Sequence, residues 1–113
     1  MLGLPLETPP EPVEVKTRIN ELFRALSRDL GPHAAGVAVW SGNLFARHLW
    51  GSWGSELRRL GFTWPRFLAF LKPYTPLIAR WAIEGSMRWE DLVEKIRADL
   101  ESSRGWGLER FLA

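Results

Sequence analysis

Apolar residues recur at steps of three and four along most of the chain, and this spacing predicts an all-α protein. The first such stretch covers residues 13–30, where one helical face is apolar and charged side chains fill the other. Gly31-Pro32 is expected to end this helix. Another helix is expected from about 88 to 103, with five apolar residues facing inward: Trp89, Leu92, Val93, Ile96 and Leu100.

The segment between these helices has a less uniform pattern. Val37 and Val39 suggest a minor strand near 36–40, whereas a helical apolar stripe runs from about 44 to 60. Gly51 and Gly54 lie within that stripe, and each costs about 1 kcal/mol relative to alanine inside a helix. The glycines mark a point where the helix is expected to break, so the sequence predicts five to six short helices in all.

Residues 61–85 predict two short helices joined by a tight turn. Thr63 is suited to cap the first helix, which Lys72-Pro73 would end. Thr75 would cap the second helix, and Gly85 would stop it. Buried positions are expected at 67, 68, 71, 78 and 81. This spacing is that of a helix-turn-helix, a unit that places one helix in the DNA major groove.

Residues 55–97 resemble the lambda-repressor-like (Xre/Cro-type) helix-turn-helix family. The match begins with a leucine-arginine run, continues through a glycine, an apolar residue and a threonine, and includes an Ile and a Trp three residues apart in the second helix. In this chain these residues are Glu56-Leu57-Arg58-Arg59-Leu60, Gly61-Phe62-Thr63, and Ile78 with Trp81, followed by Gly85. The resemblance implies a small DNA-binding protein that regulates transcription.

The same comparison assigns candidate DNA contacts. If Ile78 and Trp81 face inward, Arg80 faces outward, and together with Thr75 it is expected to meet base edges, since arginine paired with guanine is the commonest specific contact. Four further residues are expected to hold phosphates: Arg59, Arg66, Lys72 and Tyr74. The alternative for Arg80 is a solvated helix residue with no ligand.

Charge is unevenly distributed along the chain. Residues 41–83 carry six basic side chains and one acidic side chain, Glu56, although the net charge of the whole chain is only +2. A basic surface attracts phosphate backbones. A solvated face with a chance bias is the alternative explanation.

Composition limits the other functions. The chain has 113 residues and no cysteine, which fits one domain and excludes disulfides, thiolate metal sites and cysteine nucleophiles. Its two histidines, His33 and His48, lie in separate elements, and no cluster has metal-ligand spacing. No catalytic motif, cofactor or small-molecule substrate is indicated, so the chain is not expected to be an enzyme.

The domain plan follows from the ends of the chain. Four prolines fall within residues 1–12, which predicts a flexible arm rather than a signal peptide. Residues 13–104 form the predicted helical domain, and 105–113 a tail. No apolar run is long enough to cross a membrane, and a cytoplasmic protein is expected.

Seven tryptophans in 113 residues are difficult to bury in so small a core. Because tryptophan is frequent at interface hot spots, Trp50, Trp53 and Phe23 are candidates for a homodimer or partner surface. The first hypothesis is therefore a homodimeric regulator that binds double-stranded DNA. The alternatives are a helical protein-interaction or assembly module without nucleic acid, and a small enzyme or RNA-binding protein.

Overall fold

The computed structural model describes residues 6–30 and 34–102. The helical segments are α1 (Val13–Leu30), α2 (Ala34–Arg59), α3 (Trp64–Leu71), α4 (Thr75–Ala79) and α5 (Trp89–Ser102). A 3-10 turn, Lys72–Tyr74, joins α3 to α4, and a π turn, Arg80–Glu84, continues α4. Residues 64–84 therefore form one continuous helical segment, which we call the rod. The described residues thus contain four helices, counting the rod as one, instead of the five to six expected. The all-α prediction is confirmed.

The strand suggested near 36–40 does not form, because those residues belong to the 26-residue helix α2. Alanine has the highest helix propensity of all residues, and alanines flank both valines at 34, 35 and 38. The expected break at Gly51 and Gly54 is also absent. Helix propensity is a weak preference that packing overrides, and Leu49, Trp53 and Leu57 bury this part of α2 in the core.

Pro73 does not end the helix as the sequence predicted. Around the prolines the backbone instead switches to the hydrogen bonds of a 3-10 turn, in which an N–H bonds the carbonyl three residues earlier. Pro76 has no N–H with which to bond the Lys72 carbonyl, four residues earlier. Thr75 satisfies that carbonyl instead: its backbone N–H and its hydroxyl both donate to it, the hydroxyl at 2.7 Å. Lys72 and Thr75 keep right-handed helical dihedrals. At the other end Gly85 adopts φ +68°, which confirms it as the stop.

The buried side of the 64–84 rod follows one helical period from end to end. Of the positions expected to be buried, 67, 71, 78 and 81 are buried, while Leu68 is only half-buried. Phe70, Tyr74 and Ala82 are buried in addition. Two separate helices would not be expected to bury side chains along a single continuous stripe. Phe70, Tyr74 and Ala82 are buried because the rod is one continuous helix.

The rod runs antiparallel to α2. The ring of Trp50 lies 5.6 Å from that of Phe67, near the start of the rod, and Phe45 lies 6.1 Å from Trp81, near its end. A Cβ at Gly42, also on α2, would meet the Thr75 hydroxyl at 3.8 Å. These contacts place residues 42–50 of α2 beside the rod, so both helices contribute to one surface.

An extended segment, the strap (residues 6–12), lies against α2 and α5. The indole N–H of Trp53 donates to the Glu7 carbonyl at 3.1 Å, and that of Trp89 donates to the Pro9 carbonyl at 2.7 Å. Leu6 is only 5% exposed. The flexible arm expected over residues 1–12 is thus corrected for residues 6–12. Residues 1–5 and the expected tail, 105–113, lie outside the described residues.

Two more side chains hold the strap. Arg97 donates to the Leu6 carbonyl at 3.1 Å. The imidazole of His48 lies beside the Pro10 backbone, where it can act only as a donor because proline has no N–H, while its Nε2 is buried without a partner among the described residues. Burial lowers the pKa of His48, and the interaction with the Pro10 backbone partly opposes that shift. Every one of these bonds is made to a main-chain carbonyl, so the strap is held through its backbone.

Two tryptophans meet beneath the strap. The rings of Trp81 and Trp89 are 4.9 Å apart, and Phe45 packs edge-on against both. The ammonium of Lys16, on α1, lies 5.7 Å from the centre of the Trp81 ring, within the range of a cation–π interaction. Trp81 is 1% exposed and its N–H is buried without a partner among the described residues. This cluster joins α1, α2, the rod and α5.

Candidate nucleic-acid interface

The six residues expected to contact DNA do not share one environment. Arg59, Lys72 and Arg80 are exposed, Arg66 and Thr75 are half-buried, and Tyr74 is buried. The four charged residues, Arg59, Lys72, Arg80 and Arg66, can reach a large ligand with their charged groups. The two uncharged residues of the set require correction.

Tyr74 is not available to a phosphate. It is 8% exposed, and its hydroxyl donates to a carboxylate oxygen of Asp99 on α5. The ammonium of Lys95 lies 3.5 Å from the same oxygen. Burial, followed by the hydrogen bond and the negative charge of Asp99, raises the pKa of Tyr74. Its role is to tie the rod to α5.

Thr75 does not cap a separate helix, and its hydroxyl does not face outward. It is the first residue of α4, and its hydroxyl is engaged by the Lys72 carbonyl. The same oxygen would lie 3.8 Å from a Cβ at Gly42 on α2. Thr75 thus points toward α2 rather than toward a base edge.

The outer face of the 64–84 rod is poor in polar groups. Its exposed residues recur at steps of three and four and include three prolines, one alanine, two cations and one acid. These residues are Pro65, Ala69, Lys72, Pro73, Pro76, Arg80 and Glu84. Of these residues only Lys72 and Arg80 can donate to a guanine edge, and Arg80 offers the planar guanidinium suited to bidentate contact. This face offers two phosphate contacts but little for reading a sequence.

A different cluster forms where α2 meets the start of the rod. The guanidinium of Arg58 lies over the indole of Trp50, 5.6 Å from its centre. Trp64 packs edge-on against the same indole at 5.8 Å. Both tryptophans are half-buried and Arg58 is exposed. We refer to Trp50, Arg58 and Trp64 as the Trp50 patch.

Gly54 allows Arg58 to adopt this position. A Cβ at Gly54 would lie 3.0 Å from a guanidinium nitrogen of Arg58, closer than such contacts are normally found. Gly54 is itself buried beneath this side chain. An arginine placed flat on an aromatic ring gains cation–π attraction of about 0.5–1 kcal/mol at an exposed site. The glycine that sequence reasoning treated as a helix breaker therefore shapes the surface.

Sequence reasoning did not find the Trp50 patch. Trp50 and Arg58 are eight residues apart, which brings them close on a helix only if that helix is unbroken at Gly51 and Gly54. Trp64 joins them across the turn that follows α2. The available signal was the pair of glycines itself, since glycine inside a strongly packed helix often marks a close approach by another group.

The charges around this patch are largely uncompensated. Arg59 pairs with Glu56 at 3.1 Å, and Arg47 bonds Asn43 at 3.1 Å. Over the ranges 6–30 and 34–102, no ion pair is formed by Arg58, Arg66, Lys72 or Arg80 within 4 Å. By contrast α5 begins with Glu90 and Asp91, which both lie near Arg88. The positive potential is therefore concentrated on α2 and the rod.

The three residues expected at a homodimer or partner surface, Trp50, Trp53 and Phe23, differ in burial. Trp53 is 3% exposed and bonded to the strap, so its assignment to an interface is corrected: it is a core residue. Trp50 is half-buried within the patch just described. Phe23, on α1, is half-buried as well, and it lies outside the main core cluster. Phe23 and Trp50 remain candidates for contact with another molecule.

Within the described part of the chain no group of three or more His, Asp or Glu side chains could hold a metal ion. An open cleft of about 330 Å³ on α5 is lined by Asp91, Glu94, Lys95, Ala98 and Asp99. A second cleft, of about 260 Å³, lies beside the strap between Thr8 and Ser52. No helix of the described residues is long and apolar enough to cross a membrane.

Comparison of the chain with protein-family models, curated proteins and solved structures finds no match.

Proposed function

We propose that this protein binds nucleic acid through the basic surface of α2 and the 64–84 rod. The observation that carries the proposal is the set of five cations on these two helices that form no ion pair with a carboxylate of the described residues: Arg47, Arg58, Arg66, Lys72 and Arg80. Each can displace a counterion from a phosphate, which is the main sequence-independent source of affinity for nucleic acid. Nearby aromatic side chains add contacts that a purely solvated basic face lacks.

The more specific form of the proposal is a homodimeric regulator that binds double-stranded DNA. Lys72 and Arg80 support it, since both are exposed on one face of the rod. Two exposed cations eight residues apart on a helix lie roughly 12 Å apart along its axis. They would fix the register of the protein on the duplex, while Arg80 would contribute to sequence preference.

Arg80→Ala and Lys72→Ala test the proposal in a filter-binding or fluorescence-anisotropy titration at several salt concentrations. Each variant should weaken binding, and Lys72→Ala should reduce the slope of log K against log salt by about one. Arg80→Ala should cost about 1–3 kcal/mol if it contacts a guanine. The matched control is Arg88→Ala, which removes the same charge beside Glu90 and Asp91.

The control should bind at least as well as the unmodified protein, because Arg88 lies in an acidic region. Both test variants should keep the fold, since exposed substitutions usually change stability by less than about 0.5 kcal/mol. Equal salt slopes for all four proteins would contradict the proposal, as would the absence of binding at low salt.

A protein-interaction or assembly module is the second candidate, and a different observation favours it. The outer face of the rod carries Pro65, Pro73 and Pro76, an apolar, rigid surface that suits contact with another protein. Leu22 and Phe23, half-buried on α1 outside the core cluster, would be covered in a homodimer. Sedimentation over a range of concentrations measures that association directly.

A further inference from the structure

We propose that the Trp50 patch stacks an unpaired nucleobase, so that the ligand is single-stranded or contains unpaired bases. The inference rests on the general form of the proposed function, binding of nucleic acid, and names a single-stranded substrate class in place of the duplex. A base within a duplex has both faces covered by its neighbours, whereas an unpaired base can stack on an aromatic ring or on the plane of a guanidinium. The patch offers both surfaces in one place.

The indole of Trp50 is held in position before any ligand arrives. Trp64 contacts it edge-on at 5.8 Å, and Phe67 contacts it at 5.6 Å. Phe67 is fully buried, so the ring is anchored to the core. Arg58 covers the indole from the solvent side, 5.6 Å from the ring centre. A base can add to this stack on the outer plane of the guanidinium, with its phosphate near the positive charge.

The helix surface beside the patch is open. Gly51 is the next residue after Trp50, and it lies two helical turns before Arg58 on the same side of α2. A Cβ at Gly51 would meet no other atom within 4 Å. The folded chain therefore has no steric need for glycine here, although glycine costs helix stability. The space admits a flat ligand to the side of the stack.

The surrounding charge favours a nucleic acid over other aromatic ligands. Arg66, two residues after Trp64, and Lys72 on the following turns of the rod can follow a phosphate backbone that leaves the patch. Grooves that bind single strands combine such cations with aromatic rings in this way. An acidic protein segment would use the cations but not the stacking surface, and that difference provides the test.

The experiment compares a labelled 12-mer of deoxythymidine with a blunt 12-base-pair duplex, both titrated with the full chain by fluorescence anisotropy. The single strand should bind more tightly at equal salt and should quench tryptophan emission. Trp50→Ala removes the ring that supports the Arg58 guanidinium, and it should weaken binding by about 5- to 150-fold, the range found when an aromatic stack on a base is lost. Thermal unfolding followed by circular dichroism shows whether that variant still folds.

Arg58→Lys provides the decisive variant, because it keeps the charge and removes the planar surface. It should weaken binding of the single strand while leaving the salt slope unchanged. The matched control is Arg88→Lys, since Arg88 is also exposed but lies beside Glu90 and Asp91, outside the proposed binding surface. This control should bind the 12-mer like the unmodified protein. Neither substitution removes a buried group, so both variants should fold.

The outcomes separate the two proposals. Preference for the single strand, lost in Arg58→Lys but not in Arg88→Lys, supports the stacking site. Equal affinity for strand and duplex with both lysine variants alike overturns it and leaves the proposed function standing. No binding to either oligonucleotide at low salt overturns both. Binding of poly-glutamate as tight as that of the 12-mer would also overturn the inference, since it would identify an acidic protein partner.

Discussion

Trp81→Ala is expected to lower the free energy of unfolding by about 3–5 kcal/mol, the usual cost of removing a large aromatic side chain from a core. Trp81 is 1% exposed and contacts Phe45 and Trp89 directly. Its loss would also remove the ring beneath the Lys16 ammonium. Urea unfolding followed by far-UV circular dichroism measures the change.

Trp81→Phe is the informative companion. The indole N–H of Trp81 is buried without a partner among the described residues, so phenylalanine removes a group that gains nothing from its burial. This variant should therefore lose much less stability than Trp81→Ala. A Phe variant as unstable as the Ala variant would show that the N–H has a partner, such as a buried water.

Trp89→Ala should have a comparable effect, about 3–5 kcal/mol, with an additional consequence for the strap. Trp89 is 3% exposed and donates to the Pro9 carbonyl at 2.7 Å. Removing it should release residues 6–12 as well as creating a cavity. Hydrogen exchange or limited proteolysis would detect the release as faster exchange or cleavage in this segment than in the unmodified protein.

Trp89→Phe isolates the hydrogen bond from the packing. It keeps an aromatic ring but leaves the Pro9 carbonyl without its donor, and an unsatisfied buried acceptor costs about 1–3 kcal/mol. Trp89→Phe should therefore be more damaging than Trp81→Phe, although the two substitutions are chemically identical. The reverse order would mean that the strap contributes little to stability.

The helical period was sufficient to predict the regular parts of the fold. Residues 88–103 were predicted as a helix, α5 covers Trp89–Ser102, and its five predicted core residues are buried. The same period identified α1. These predictions succeed because a stripe at steps of three and four specifies both the helix and the side that it buries. They needed no information about neighbouring helices.

The corrections involve interactions that cross between elements. Pro73 would normally argue for a helix end, but the Thr75 hydroxyl compensates for a carbonyl that Pro76 cannot bond. The strap depends on distant donors such as Trp53 and Arg97, which lie 46 and 91 positions from their acceptors in sequence. The Trp50 patch likewise requires α2 to remain helical through its glycines. None of these contacts produces a periodic pattern of apolar residues from which it could be predicted.

The strap also has a consequence for the order of folding. Its bonds join Pro9 to Trp89 and Leu6 to Arg97, pairs separated by 80 and 91 positions. During synthesis the strap could meet Trp53 on α2 early, but its bonds to Trp89 and Arg97 would wait until α5 had left the ribosome. Closing so long a loop costs more entropy than forming a local helix contact. Complete docking of the strap is thus expected to be a late step that depends on the folding of α5.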